Sequence, residues 1–279
     1  MPLLDWLAEP LAYRFIMRAF MAAFMVGIVC SVLGTFSVLR GMAFFGDALA
    51  HTILPGVVAA YLLGWPLAVG ALIMGVITAV GIGALSSQGY FKEDTAIGII
   101  FVGLFALGVA MISATRNYSV DLAHFLFGNL LGVSNNDLWV ILILGLLVLF
   151  TIFIFYKEFV VISFDKTLAT TLRLPTELLR YLLLILIAIT IVVSLQVVGI
   201  ALMLAMLVTP AAAASLLTRR LPVMMGISAV IGAFSGVAGL YASYYLNIAS
   251  GPSVVLTATA VFILTFLFAP QRGLVWRYT

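Results

Sequence analysis

Charge is what this sequence has least of. Only 8% of its 279 residues are Asp, Glu, Lys or Arg, against 65% of apolar types. Soluble domains carry about 25% charged and about 45–50% apolar residues. There is too little polar surface here to solvate a globule, so the chain reads as an integral, polytopic membrane protein with almost no room for a soluble domain. Cysteine is nearly missing as well. The one residue, Cys30, excludes an internal disulfide and, unless subunits share it, a thiolate metal site. The net charge is +3 and the charges sit between apolar runs, with no basic stripe, which argues against a nucleic-acid partner. No GxxxxGK(S/T) string and no Gly-Lys dipeptide occur, so no nucleotide binds through a P-loop. HExxH and GxSxG strings are absent too, which removes the common metalloprotease and hydrolase signatures. The opening stretch has acids, a proline and no basic n-region, unlike a secretory signal. It reads as an interfacial segment over residues 1–18, with Trp6 and Tyr13 at headgroup level.

What is present is a series of long apolar runs. A spanning helix needs roughly 20 such residues, and the runs predict about nine: Ala19–Leu39, Phe44–Leu63, Leu67–Ser86, Thr95–Ala114, Leu138–Tyr156, Leu178–Val197, Ile200–Leu217, Val223–Leu246 and Val254–Phe268. The expected fold is an all-α polytopic transmembrane bundle with eight or nine crossings, in one membrane domain over residues 1–279. Ile200–Leu217 is the ambiguous run, because Thr209-Pro210 is expected to kink it and a broken or re-entrant helix stays open. Asp121–Gly132 is too short to span and is expected at the interface. Lys and Arg choose the orientation. An outside N-terminus and inside C-terminus put ten of them, Arg40 through Arg277, in inner loops and leave Arg14, Arg18 and Arg116 outside. The longest polar connection, residues 157–177, is then cytoplasmic. Phe164–Leu174 within it predicts a short surface helix broken by Pro175, either a plain loop helix or a docking element for a cytoplasmic partner.

Most charges cap helices, but Asp47 and His51 sit inside the second run, in GDALAHTILPG. A carboxylate there is costly unless paired or facing water. The i, i+4 spacing puts both on one helix face. Counted from Arg40 at ~1.5 Å per residue, they lie ~10 and ~16 Å deep against a half-thickness of ~15 Å. Oxygen plus imidazole nitrogen suits manganese, zinc or ferrous iron. Two residues cannot fill a coordination shell, so other helices contribute or a second copy of the chain supplies its own pair. The plainer alternative is an Asp–His hydrogen bond that fixes helix packing. His124, with Asp121 at i−3, reads as a solvated interfacial histidine ahead of a ligand. Met203 and Met206 read as packing. Gly232–Gly236 and Gly128–Gly132 fit GxxxG, a weak signal in a chain with 24 glycines.

At GDALAHTILPGVV the sequence resembles the membrane permease subunit of bacterial manganese, zinc and iron ABC importers. SVDLAHFLFGNLLGVS, ISFDKTLATTLRLP and VVGIALMLAMLVTPAAAA are similar to further stretches of that family, and the resemblance runs from about residue 3 to 273. It implies a type II importer-like fold, no enzymatic activity of the chain itself and a multi-pass place in the bacterial cytoplasmic membrane. It implies a homodimer with two cytoplasmic ATP-binding subunits that hold the ATP, and an extracytoplasmic metal-binding protein. The transported ion, manganese first, then zinc, with iron third, would meet Asp47 and His51; no cofactor is held permanently. Phe164, Asp165, Leu168 and Arg173 would couple to the ATPase, with Arg173 standing where many members have glycine. Two other classes compete. An ion-coupled secondary metal transporter would need a second intramembrane carboxylate, and a membrane enzyme with an Asp/His metal site would need further ligands and a base.

Overall fold

Backbone groups in lipid must be satisfied within their own segment or by close neighbours, so long apolar runs become helices. The structure, a computed structural model, describes residues 9–87, 91–114 and 130–269, and no strand occurs among them. A 3-10 turn at Pro10–Ala12 leads into α1 (Arg14–Leu39). Then come α2 (Phe45–Thr52), α3 (Leu54–Leu63), α4 (Leu67–Ser87), α5 (Glu93–Ala114) and, after a 3-10 turn at Leu130–Gly132, α6 (Asn135–Ile154). The chain continues through α7 (Tyr156–Phe164), α8 (Lys166–Thr171), α9 (Thr176–Val198), α10 (Ile200–Leu217), α11 (Leu221–Leu246) and α12 (Ser250–Phe268). Among the described residues nine segments are long and apolar enough to cross a bilayer, with α2 and α3 together forming one. This is the helical bundle that the apolar runs predict. Trp6, His124, Asp121, Arg116 and Gly128 lie outside the described residues.

Several helices begin two to four residues before the apolar run does. The reason is polar: acids belong in a first turn, where they complement free N–H groups and the helix dipole. Glu93 and Asp94 open α5, and Glu177 opens α9. Asp137 in the first turn of α6 exchanges bonds with Ser134: the Ser134 N–H donates to Asp137 Oδ2 at 2.9 Å, and the Asp137 N–H donates to Ser134 Oγ at 3.2 Å. Arg180, counted above as an inner-loop charge although it falls in the Leu178–Val197 run, lies inside α9 and is buried.

One alternative left open above is decided, and one expected helix is shortened. Ile200–Leu217 is not broken at Thr209-Pro210; α10 runs through Pro210 without interruption. A proline withholds the N–H that the carbonyl four residues back would accept, here that of Met206. The Ser31 hydroxyl donates to that carbonyl instead, at 3.2 Å. The short helix expected over Phe164–Leu174 is present but covers only Lys166–Thr171. Phe164 ends α7, Asp165 is extended at φ −147°, and α8 starts at Lys166. The turn forms because the Asp165 carboxylate caps α8, accepting from the N–H groups of Thr167 at 2.8 Å and Leu168 at 3.0 Å. Nor does Pro175 end the helix. Arg173 turns left-handed at φ +54°, its N–H reaching the Thr170 carbonyl and that of Leu174 the Ala169 carbonyl. That is a Schellman closure.

The chain forms two compact units: Met1–Val38 with Phe127–Gly145 and Val197–Thr279, and Leu39–Leu126 with Leu146–Gln196. In the first, small residues bring backbones together. A Cβ on Gly232 would strike the Ser31 side chain and the Gly27 carbonyl, and one on Gly34 would strike the Leu207 carbonyl. The Ser228 hydroxyl donates to the Ser31 carbonyl at 2.9 Å, and that of Ser253 to Gly239 at 2.7 Å. In the second unit, Gly56 of α3 meets Gly70 of α4 backbone to backbone, and Gly83 of α4 is covered by the Tyr181 ring.

Candidate metal site

The second unit carries every residue singled out as a candidate above, apart from those outside the described set. α1 ends at Leu39, Gly41 turns the chain at φ +70°, and α2 starts at Phe45. Asp47 falls in the first turn of α2 and His51 in its last. Pro55 sits at the start of α3 and has no N–H to give the His51 carbonyl, so the span breaks at Ile53, directly after the pair.

Asp47 Oδ1 and His51 Nε2 are 3.8 Å apart, and the side chains are 30% and 31% exposed. That is too long for a hydrogen bond. The packing alternative, an Asp–His hydrogen bond, is therefore not formed. Instead both groups share one face as an i, i+4 pair, each about a third exposed. No group of three or more His, Cys, Asp or Glu that would hold a metal occurs among the described residues. The pair therefore offers two donor groups, and no third His, Cys, Asp or Glu joins them among the described residues.

Sequence reasoning missed what surrounds the pair. Phe101 and Phe105 of α5 lie against the imidazole, with ring centroids 5.9 and 5.5 Å from it. The two phenyl rings stack at 5.9 Å, and Phe44 meets Phe101 edge-on. Four-residue spacing from Glu93 through Ile97 to Phe101 and Phe105 was the available signal, but it is faint in an apolar run of a chain with 20 phenylalanines. Also missed was a buried charge cluster at the end of the unit near Arg40. Arg40, its side chain 5% exposed, pairs with Glu93, and Arg180 donates to the Gly83 carbonyl and pairs with Glu177 at 3.3 Å. Burial pulls the Arg40 guanidinium below its usual range, while the Glu93 carboxylate opposes that pull.

The α7–α8 corner holds the other candidates. Phe164, Leu168 and Leu172 are exposed at four-residue intervals, so an apolar knuckle stands on the surface with Asp165 and Arg173 beside it. Next to it opens a cavity of about 530 Å³ lined by Arg40, Lys92, Glu93, Asp94, Ser163 and Phe164, among others.

The comparisons with known proteins agree with this architecture. The manganese transport system membrane protein MntC of Halalkalibacterium halodurans is 48% identical over 268 residues, 96% of this chain and 92% of that protein. A probable iron transport system membrane protein of Haemophilus influenzae is 37% identical over 96% of this chain and 98% of its own length. Among solved structures, PsaBC from Streptococcus pneumoniae in complex with Fab superposes with a TM-score of 0.85 at 36% identity, covering 99% of this chain and 100% of that one. The pattern of the ABC 3 transport family matches residues 12–269, which contain all nine membrane-length segments and the Asp47/His51 pair. The chain therefore belongs to the ABC 3 transport family and is a membrane permease.

Proposed function

We propose that the chain is the permease of an ATP-driven importer of a divalent transition metal, manganese first, and that Asp47 and His51 bind the ion in transit. The observation that carries this reading is the open pair itself: two donors of the right chemistry, 3.8 Å apart and part-exposed inside an apolar span. A first-turn carboxylate that shares its helix face with an imidazole four residues on, in a membrane-length segment, is ready to take a cation. The relatives named for manganese and iron transport support the metal class. Zinc remains the next candidate, because an oxygen–nitrogen donor set accepts it equally well.

The ion would be received from a metal-binding protein outside the cell and passed through a homodimer. Two copies with their α2 faces opposed would bring two Asp47 and two His51 together, completing the shell that one copy lacks. Energy would come from cytoplasmic ATP-binding subunits docking on the Phe164–Leu172 knuckle, with the N-terminus outside and the C-terminus inside the cytoplasmic membrane. Against a self-sufficient ion-coupled transporter stands the shortage of carboxylates for a proton relay: among the described residues every acid of a membrane-length segment, Asp47 included, stands in a first turn, and none lies deeper along a span.

Substitution tests the pair. Asp47→Asn or His51→Ala should remove manganese uptake by proteoliposomes holding the full transporter, while dimer and ATPase still co-purify. Uptake at the wild-type rate in either variant would refute the metal-pair reading.

A further inference from the structure

A metal-binding histidine normally has its ring fixed by a hydrogen bond from its second nitrogen to a carboxylate or carbonyl. His51 makes no hydrogen bond among the described residues; its contact with Asp47, at 3.8 Å, is too long to be one. What touches the ring is aromatic. We propose that Phe101 and Phe105 are positioning residues for His51, and that their two phenyl rings hold the imidazole where it meets the ion alongside Asp47. The inference rests on the metal-pair reading above and adds to it the element that sets ligand geometry.

Three observations support it. The contacts come from both rings at once: Phe105 stands edge-on to the imidazole at 71°, and Phe101 is tilted at 56°. Two rings of one helix face thus form a wall along the imidazole, and rotation about its Cα–Cβ bond toward α5 meets them. The rings brace each other, stacked at 16°, and Phe44 meets Phe101 edge-on at 88°. Finally, α5 is pinned at both ends of the stretch that carries them. Glu93 is held by buried Arg40. Gly108 lies so close to Leu54 that a Cβ there would come within 2.9 Å of its side-chain carbons. The two anchors fix the register of α5 against α2 and α3, and with it the height of the clamp.

The wall also has a chemical consequence. Phenyl faces offer no hydrogen bond to water, so an ion bound by His51 has to shed its hydration on that side. Magnesium gives up water reluctantly, whereas manganese accepts the imidazole nitrogen. The clamp would thus favour manganese over the more abundant ion.

The test is equilibrium Mn²⁺ binding to the detergent-purified transporter complex, followed by the electron paramagnetic resonance of free Mn²⁺. Modulation from the imidazole ¹⁴N reports whether the histidine is bound. Phe105→Ala and Phe101→Ala should each weaken Mn²⁺ binding by about tenfold or more and reduce the ¹⁴N modulation. Phe105→Tyr keeps the ring and should restore both. Phe105→Leu keeps the apolar bulk and hence assembly, yet should still weaken binding. Unchanged affinity and modulation in Phe105→Leu, or weakening that Phe105→Tyr does not rescue, would overturn the clamp. Asp47→Asn is measured in parallel. If it binds Mn²⁺ normally, the metal-pair reading fails and takes the clamp with it; if it loses Mn²⁺ while the phenylalanine variants keep it, only the clamp fails.

Discussion

At the residue scale, an unusual backbone state has a local and measurable consequence. Arg173 holds φ +54°, a conformation that costs a residue with a Cβ about 1–2 kcal/mol and glycine little. The resemblance noted in the sequence places glycine at this position in many members of the family. Arg173→Gly should therefore tighten the α8 closure and slow amide hydrogen exchange over Thr170–Leu174 by about fivefold for each kcal/mol relieved. Faster exchange there would contradict the assignment. Asp47 and His51 were legible because ionisable groups are so rare in this chain that one inside a run stands out. Phe101 and Phe105 were not, since nothing in an apolar helix tells a ring that touches a histidine from one that touches lipid. Arg180 was misplaced because a basic residue at the start of an apolar run was counted with the loop, whereas the helix starts four residues before it, at Thr176.

At the element scale, α10 shows how a proline is accommodated in a span. Ser31 takes over the Met206 carbonyl that Pro210 leaves unpaired. Removing the hydroxyl by Ser31→Ala strands a buried acceptor and should destabilise the protein by about 1–3 kcal/mol. Pro210→Ala returns an N–H to that carbonyl, so Ser31→Ala should cost markedly less on that background. Thermal unfolding of the four proteins of the cycle measures the coupling; additive losses would mean that the two residues are unrelated. The spacing Gly232–Gly236 carried little weight in the sequence, yet both glycines approach α1 closely, Gly236 within 2.9 Å of the Ala23 carbonyl if given a Cβ. A motif of small residues says where backbones can approach, not which partner is there. Helices as a class were legible from run length alone. The corner at Asp165 was not, because a cap and an interior polar residue look alike in composition.

At the scale of the whole molecule, each unit has its own close-packed backbone contacts, and the second unit holds both the metal pair and the α7–α8 knuckle. The Asp47/His51 pair and the knuckle proposed to dock the ATP-binding subunit thus lie in one unit, and α5 begins beside the cavity that Phe164 borders and continues to the rings on His51. Replacing Phe164 and Leu168 by aspartate should release the ATP-binding subunit without altering membrane insertion, as read by co-purification. A complex that survives would leave the knuckle a surface feature only.

The central claim is that one ion is bound by two copies of a pair that is incomplete in each. Counting manganese against protein in the purified, metal-saturated dimer tests it most directly. The account predicts one Mn²⁺ per two chains, and none when both chains carry Asp47→Asn. Two ions per dimer, or an unchanged count in that variant, would contradict it.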